Sequence, residues 1–466
     1  MKSLSLSVVS HACEGSLNAA AEDLGSDCQV QGFGVDSRTI RSGEVFVAIK
    51  GERVDGHDFA AEVMAAGAAV VLSSRDIPGT PCIVVPDPVL ALGKAAAWYR
   101  REILSARVIG ITGSSGKTTT KDLVADTLDG NVVAAHGSFN TEVGVPLTIL
   151  SADADTEYLV LEMGMRGLGH IQYLAKMASP DIGVVLNVGT AHLGMMNSRE
   201  EIAQAKGELV TALTANAWAV LNVDDPWVAA MANHTDAETF WFGRSSKADV
   251  RAENVNVDSS GQATFALLCG EEQAVEVHLA FHGEHFVDAA LASAAVGHLC
   301  GMSAARIAHK LNEARPRNRW RMEVQRTPGG VTVISDVYNA NPESVRAALK
   351  TLRAMAGNGK TWAVLGEMKE LGESSVHEHD AIGRLAVRLD ISRLICVGSG
   401  TKAMHLAATN EGSWGDESIW VEDAASALGV LRNELMSGDV VLIKASRAVG
   451  LETIAESLLT GSEGAA

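Results

Sequence analysis

Aromatic residues are scarce in this chain, 5% of 466 positions, and no apolar run reaches 18 residues without a charge. The first shortage disfavours an aromatic-rich β-sandwich, and the second leaves no candidate membrane span. Cysteine is sparse too: Cys13, Cys28, Cys82, Cys269, Cys300 and Cys396 are scattered and form no CxxC pair. That spacing excludes a disulfide scaffold and fits a reducing, cytoplasmic location. Basic residues are outnumbered 38 to 57, so the net charge of -19 opposes nucleic acid and anionic lipid as partners. A small anionic substrate in a local basic pocket stays compatible. The N-terminal stretch has one Lys, and its weak apolar run is broken at His11 and Glu14, which is not the pattern of a cleaved signal peptide.

What the chain has in quantity is glycine, 45 residues, within an ordinary globular balance of 47% hydrophobic and 20% charged residues. Its length predicts two to four domains. Alternating apolar runs and helical periods predict an α/β protein of three parts. Residues 1–104 read as a small α/β domain, with strands at Val45–Ile49, Ala69–Leu72 and Cys82–Val85. Residues 105–315 read as a P-loop domain with a parallel sheet. It carries an antiparallel β insert at Thr239–Phe242, Ala263–Leu268 and Val275–Ala280. Residues 316–466 read as a Rossmann-like doubly wound domain, with strands at Val331–Ser335, Thr361–Leu365, Arg393–Val397, Ser418–Val421 and Val440–Lys444.

The sharpest chemical signal lies between the apolar run 108–112 and the next helical period. The turn Gly113-Ser114-Ser115-Gly116-Lys117-Thr118-Thr119 offers backbone N–H groups, a helix N-terminus and a lysine to a triphosphate. The strict GxxxxGK[ST] pattern is missed because Ile111 occupies its first glycine position. Lys117 is expected on the β- and γ-phosphates of ATP, and the Thr118 hydroxyl on Mg2+. Glu162 closes the predicted strand 158–162, and His192 follows the strand 182–187 in a loop, both at the end where open α/β sheets bind ligands. Both are candidate Mg2+ ligands.

These motifs resemble the Mur ligase family of ATP-dependent amide ligases. The resemblance runs in order through Asp36-Ser37-Arg38, the block 55–57, the phosphate turn with Lys121, and the block 138–146 containing Asn140 and Thr141. It continues through Glu162 to Gly164, Asn187 to His192, Lys206, Asp336 to Pro342 with Asn339, the block 366–372, and Lys444 to Arg447. It implies ADP- and phosphate-forming addition of D-alanyl-D-alanine to a UDP-N-acetylmuramoyl tripeptide in peptidoglycan synthesis, and so a part in cell shape and division. It also implies a UDP-binding first domain, a central ATPase and a closing third domain, with a monomer expected. A sibling ligase, a folylpolyglutamate-type synthetase and a P-loop phosphotransferase remain alternatives.

By the same resemblance Asp36, Ser37, Arg38, Asn140 and Thr141 are substrate contacts, and Arg321, Asp336 and Asn339 are nucleotide contacts. Lys206 lies fourteen residues after His192, the spacing at which siblings carry a carbamylated lysine that binds Mg2+. Lys117, His192 and Lys206 would then be the catalytic residues. Two departures stand out. The chain has His285-Phe286-Val287-Asp288-Ala289 where the family commonly has two amides at positions 286 and 289, and Gly194 where an acidic residue is common.

Overall fold

A computed structural model describes residues 1–460 except Ser26, 191–193, 195, 197 and 413–416. His192 therefore lies outside the described residues. The first sheet orders as Ser16–Leu17, Cys82–Val84, Val70–Ser73, Glu44–Val47, Gly32–Gly34, all parallel except the first pair. The chain leaves it through the helix Pro88–Glu102, started by Asp87, whose carboxylate accepts from the Val89 and Leu90 N–H groups at 2.8 and 3.1 Å. Pro88 at the first turn loses no helical hydrogen bond there.

That helix welds the first two units. Ala91, Leu92, Ala95, Ala96 and Tyr99 are buried in one core that also holds Val45 and Val70 of the first sheet and Ile149 and Leu174 of the central unit. Tyr99 donates to the Ala152 carbonyl at 2.9 Å, which satisfies its hydroxyl inside that core. Gly93 lets the helix approach closely, since a Cβ there would sit 2.0 Å from the Tyr173 hydroxyl.

The central sheet has nine strands. From one edge they are Val275–His282, Gln262–Cys269, Val250–Val257, Glu238–Gly243, Trp218–Asn222, Ile182–Val185, Arg107–Thr112, Tyr158–Glu162 and Val132–Ala134. The expected insert is only partly antiparallel. Gln262–Cys269 and Val275–His282 pair that way, whereas the predicted Thr239–Phe242 lies in Glu238–Gly243 and runs parallel to both neighbours. The short polar and aromatic run hid its place as a continuation of the parallel sheet, and the strand Val250–Val257 was not anticipated.

Strand Arg107–Thr112 runs parallel between Tyr158–Glu162 and Ile182–Val185, so the carboxyl ends of all three converge. The phosphate turn, Glu162 and Asn187 are thereby placed together.

The third sheet orders as Glu323–Arg326, Thr332–Asp336, Val440–Lys444, Thr361–Leu365, Arg393–Val397, Ser418–Val421, parallel apart from the first edge pair. Thr361–Leu365 and Val440–Lys444 are buried along their whole length, as a sheet covered on both faces requires.

This unit is closed on the central one. Thr190 donates through its N–H and hydroxyl to Glu343 at 2.8 and 2.9 Å. Ser138 receives Arg321 at 3.0 Å and Tyr338 at 2.9 Å. Gly194 donates its N–H to the Glu370 carbonyl at 2.8 Å. A Cβ on Gly194 would lie 2.8 Å from the Gly372 nitrogen, so only glycine permits this backbone-to-backbone contact. We expect Gly194→Ala to keep its fold and its far-ultraviolet circular dichroism but to lose turnover by about 10²-fold, because a small misplacement of closing groups is that costly. Steady-state kinetics with phosphate detection would check this.

Candidate active site

Helix Lys117–Thr127 starts at Gly116 in the left-handed region, φ +81°, with no side chain capping its first N–H groups. Those groups and the helix dipole are left for an anion. The turn before the helix is shaped by Asn187, whose Oδ1 accepts from the Ser114 and Ser115 N–H groups at 3.0 Å each. The Asn187 Nδ2 returns a bond to the Ser115 carbonyl at 3.2 Å, and Ser114 Oγ accepts from the Gly189 N–H at 2.8 Å. Gly113 passes so close to Leu186 that a Cβ would sit 2.9 Å from that side chain. Turn geometry therefore comes from the neighbouring strand end.

Lys117 donates to the Gly113 carbonyl at 2.8 Å. Burial pushes its ammonium below the ordinary lysine range; Glu162 opposes that shift, Arg321 adds to it, and Glu370 opposes it. Glu162 is 1% exposed, and neutral donors hold both its oxygens: the Thr118 hydroxyl at 2.8 Å and the Asn140 Nδ2 at 2.7 Å. A buried carboxylate beside a threonine hydroxyl at the end of a phosphate turn is the hard oxygen donor set that Mg2+ takes.

Lys206 is 1% exposed, so it is not the helix-surface lysine that its local sequence REEIAQAKGEL suggests on its own. Its Nζ lies 3.9 Å from the Met165 sulfur, and burial together with the Lys117 charge holds its pKa well below the ordinary lysine value. The side chain fits an amine kept neutral.

Two cavities flank Lys117. The larger, about 600 Å³, is lined by the turn from Ser114 to Thr120 and by Glu162, Arg321, Asp336 and Asn339. Asp336 is held by Lys444 at 2.6 Å and by the Met322 N–H at 3.2 Å. Lys444 also donates to the Asn339 carbonyl at 2.8 Å. Arg321 lies 4.0 Å above the Tyr338 ring, a cation–π contact.

The departure from the family pattern at positions 285–289 lines this same cavity. Phe286 and Ala289 form part of its apolar wall, and the His285 ring packs against Phe286 at a tilt of 37°, with centroids 4.2 Å apart. The smaller cavity, about 410 Å³, is lined by Lys117, Asn140, Thr141, Met165, Arg166, His170, Tyr173 and Glu370 among others. Lys117 and Asn140 line both.

The structure thus gathers Ser114, Ser115, Gly116, Lys117, Thr118, Thr119, Asn140, Glu162, Arg321, Asp336 and Asn339 around one cavity, with Gly113 at the base of its turn, Thr141 in the adjoining cavity and Lys206 buried beneath. Asp36, Ser37 and Arg38 line neither cavity. Arg38 pairs with Asp36 through two side-chain bonds of 2.8 and 2.6 Å, which draw the Asp36 carboxyl down to about 2. Ser138, His170 and Tyr173 escaped the sequence reading as site residues. Ser138 stands inside a motif block beside Asn140, a usable signal, whereas nothing local marks Tyr173, which reaches the site through helix packing.

The chain also matches known proteins. Residues 29–111 match the model described as Mur ligase family, catalytic domain; residues 111–297 match the Mur ligase middle domain; residues 320–447 match the Mur ligase, glutamate ligase domain. The chain is 48% identical to the UDP-N-acetylmuramoyl-tripeptide--D-alanyl-D-alanine ligase of Mycobacterium tuberculosis, over 91% of each chain. A crystal structure of MurF from Acinetobacter baumannii superposes with a TM-score of 0.89 at 31% identity, covering 99% of both chains. The MurF ligase of Thermotoga maritima in complex with ADP superposes with a TM-score of 0.81 at 31% identity, covering 92% of this chain and 97% of that one.

Burial lowers His285 from 6.5 to about 4, so the unfolded chain binds this proton more readily than the folded one between those values. Its contribution to stability is therefore complete above about pH 6.5 and falls as pH drops toward 4. His285→Gln should flatten that part of the melting-temperature profile, as calorimetry from pH 4 to 7 would show.

Proposed function

The chain belongs to the Mur ligase family and is an ATP-dependent ligase that adds D-alanyl-D-alanine to the UDP-N-acetylmuramoyl tripeptide of peptidoglycan synthesis; we propose that it acts through an acyl phosphate formed where its two cavities meet. The observation that supports this route is the shared wall: Lys117 and Asn140 face both spaces. A triphosphate on the turn would present its terminal phosphorus there, and a carboxylate in the smaller cavity would reach it from the other side.

Three anionic groups must converge: the triphosphate, the tripeptide carboxylate and the developing acyl phosphate. The protein's work is positioning and charge neutralisation. In this reading the turn from Gly113 to Thr119 holds the phosphates through the uncapped N–H groups at the start of its helix and the Lys117 ammonium, while Asn187 fixes the Ser114 and Ser115 N–H groups. Arg321, Asp336 and Asn339 complete the nucleotide site from the closing unit. Asn140 and Thr141 hold the reacting end of the tripeptide substrate, while Asp36, Ser37 and Arg38 take its distant uridine diphosphate end. The buried neutral amine of Lys206 suits reaction with CO2, in which the N–C bond forms, one proton leaves the nitrogen and the neutral amine becomes an anionic carbamate. Thr118, Glu162, His192 and carbamylated Lys206 would hold Mg2+, which when bound neutralises phosphate charge. We place this chemistry in a cytoplasmic monomer, with the three domains divided near residues 104 and 315.

A phosphotransferase would leave phosphate on a hydroxyl, whereas this route moves a carboxylate oxygen to phosphorus. With heavy oxygen in the terminal carboxylate of the tripeptide, the released inorganic phosphate should carry one labelled oxygen by mass spectrometry. Unlabelled phosphate alongside amide product would overturn the acyl-phosphate step. Lys206→Ala should lose activity by about 10²-fold or more, and small added carboxylates should restore part of it by replacing the lost oxygen ligand. Turnover with and without acetate would check this.

A further inference from the structure

Seven non-glycine residues among those described have positive φ, and two of them, Met322 and Glu370, line a cavity of the active site. Glu370, at φ +64°, stands in the loop between strand Thr361–Leu365 and helix Ser375–Arg388. A non-glycine residue held in the left-handed region is costly, and such strain persists only where the surroundings enforce it.

Here the enforcement is visible. The Glu370 carbonyl accepts the Gly194 N–H at 2.8 Å, and Gly372, at φ +55°, abuts Gly194 so closely that a Cβ on it would sit 2.8 Å from the Gly194 Cα. Two glycines from different units thus clamp the loop in the orientation that brings Glu370 to the smaller cavity. The carboxylate comes from the third unit, so it reaches the site only when that unit closes. Its charge is felt at Lys117, the residue at the junction of the two cavities.

We propose that Glu370 is a further catalytic residue, one that binds the ammonium of the incoming D-alanyl-D-alanine and accepts its proton. The proposal rests on the acyl-phosphate reading above. An α-amino group has a pKa of about 8, so near neutral pH most of the acceptor arrives protonated and cannot attack. The ammonium N–H proton passes to the Glu370 carboxylate. The freed lone pair then forms the C–N bond to the acyl carbon while the bond from that carbon to the phosphate oxygen breaks. Phosphate leaves with the electron pair, and the second nitrogen proton passes to it. Among the described residues, Lys117, Arg166, His170, Tyr173 and Glu142 are the other charged or titratable groups lining this space.

The test compares the intact protein with Glu370→Gln, using two acceptors with ATP and the tripeptide. D-alanyl-D-alanine must lose a proton, whereas hydroxylamine is already neutral at pH 7 and traps an acyl phosphate as a hydroxamate. Glu370→Gln should slow ligation of D-alanyl-D-alanine by about 10²-fold or more, the usual scale of a lost general base. It should also lessen that defect as pH rises toward the amine pKa, and leave hydroxamate formation within a factor of about three of wild type. Glu370→Gly relieves the backbone strain but removes the carboxylate, and should share the defect.

An equal fall with both acceptors, no fall with either, or full activity in Glu370→Gly would overturn the assignment. If the wild-type protein forms amide but no hydroxamate, the acyl-phosphate reading fails and takes the proton step with it. The separate signature of a failed Glu370 assignment is wild-type hydroxamate with no selective defect in Glu370→Gln.

Discussion

A lysine ammonium partly buried between two cavities is the constraint around which the rest of the site is organised. Lys117 is disfavoured by its burial and by Arg321, and it is offset within the protein by Glu162 and Glu370. A charge so placed is strongly responsive to any anion brought beside it, because little solvent remains to screen the interaction. The open helix N-terminus at Gly116 adds to that demand. Glu162, with its oxygens committed to Thr118 and Asn140, holds the opposite side of the turn in register.

Closure follows from the same electrostatics. The central unit supplies the turn, Glu162 and Lys206, while the third unit supplies Arg321, Asp336 and Glu370. Ser138 joins the two sets, since Thr118, Arg321 and Tyr338 all reach its hydroxyl. The contacts that seat the third unit are largely backbone or short side-chain bonds, such as Gly194 to Glu370 and Thr190 to Glu343. Such contacts tolerate little displacement, so the reacting groups meet in one geometry. Phe286 and Ala289 give the larger cavity an apolar wall, so a base bound there, as proposed, would be held mainly by shape and apolar contact.

Local chemistry made much of this legible before any coordinates. Continuous apolar runs such as Val440–Lys444 can be buried only inside a covered parallel sheet, and the strand, Gly-rich turn and helix around Lys117 have few other uses. The run Glu238–Gly243 misled because pairing direction is decided by which strand lies beside it, a non-local choice that alternation of residues does not encode.

By itself, then, the sequence determined the α/β class, the order of the three parts, the phosphate turn and the acidic residue at the next strand end, since each depends on periodicity or on spacing within a few residues. The tertiary structure decided that Lys206 is buried, that Ser138 links two units, that Tyr173 and His170 line the smaller cavity, and that Glu370 is brought to that cavity by a glycine clamp. These depend on distances between residues far apart in the chain, which only packing sets. A lysine on an amphipathic helix reads as exposed until a neighbouring core covers it, and a loop carboxylate reads as solvated until a second unit closes over it.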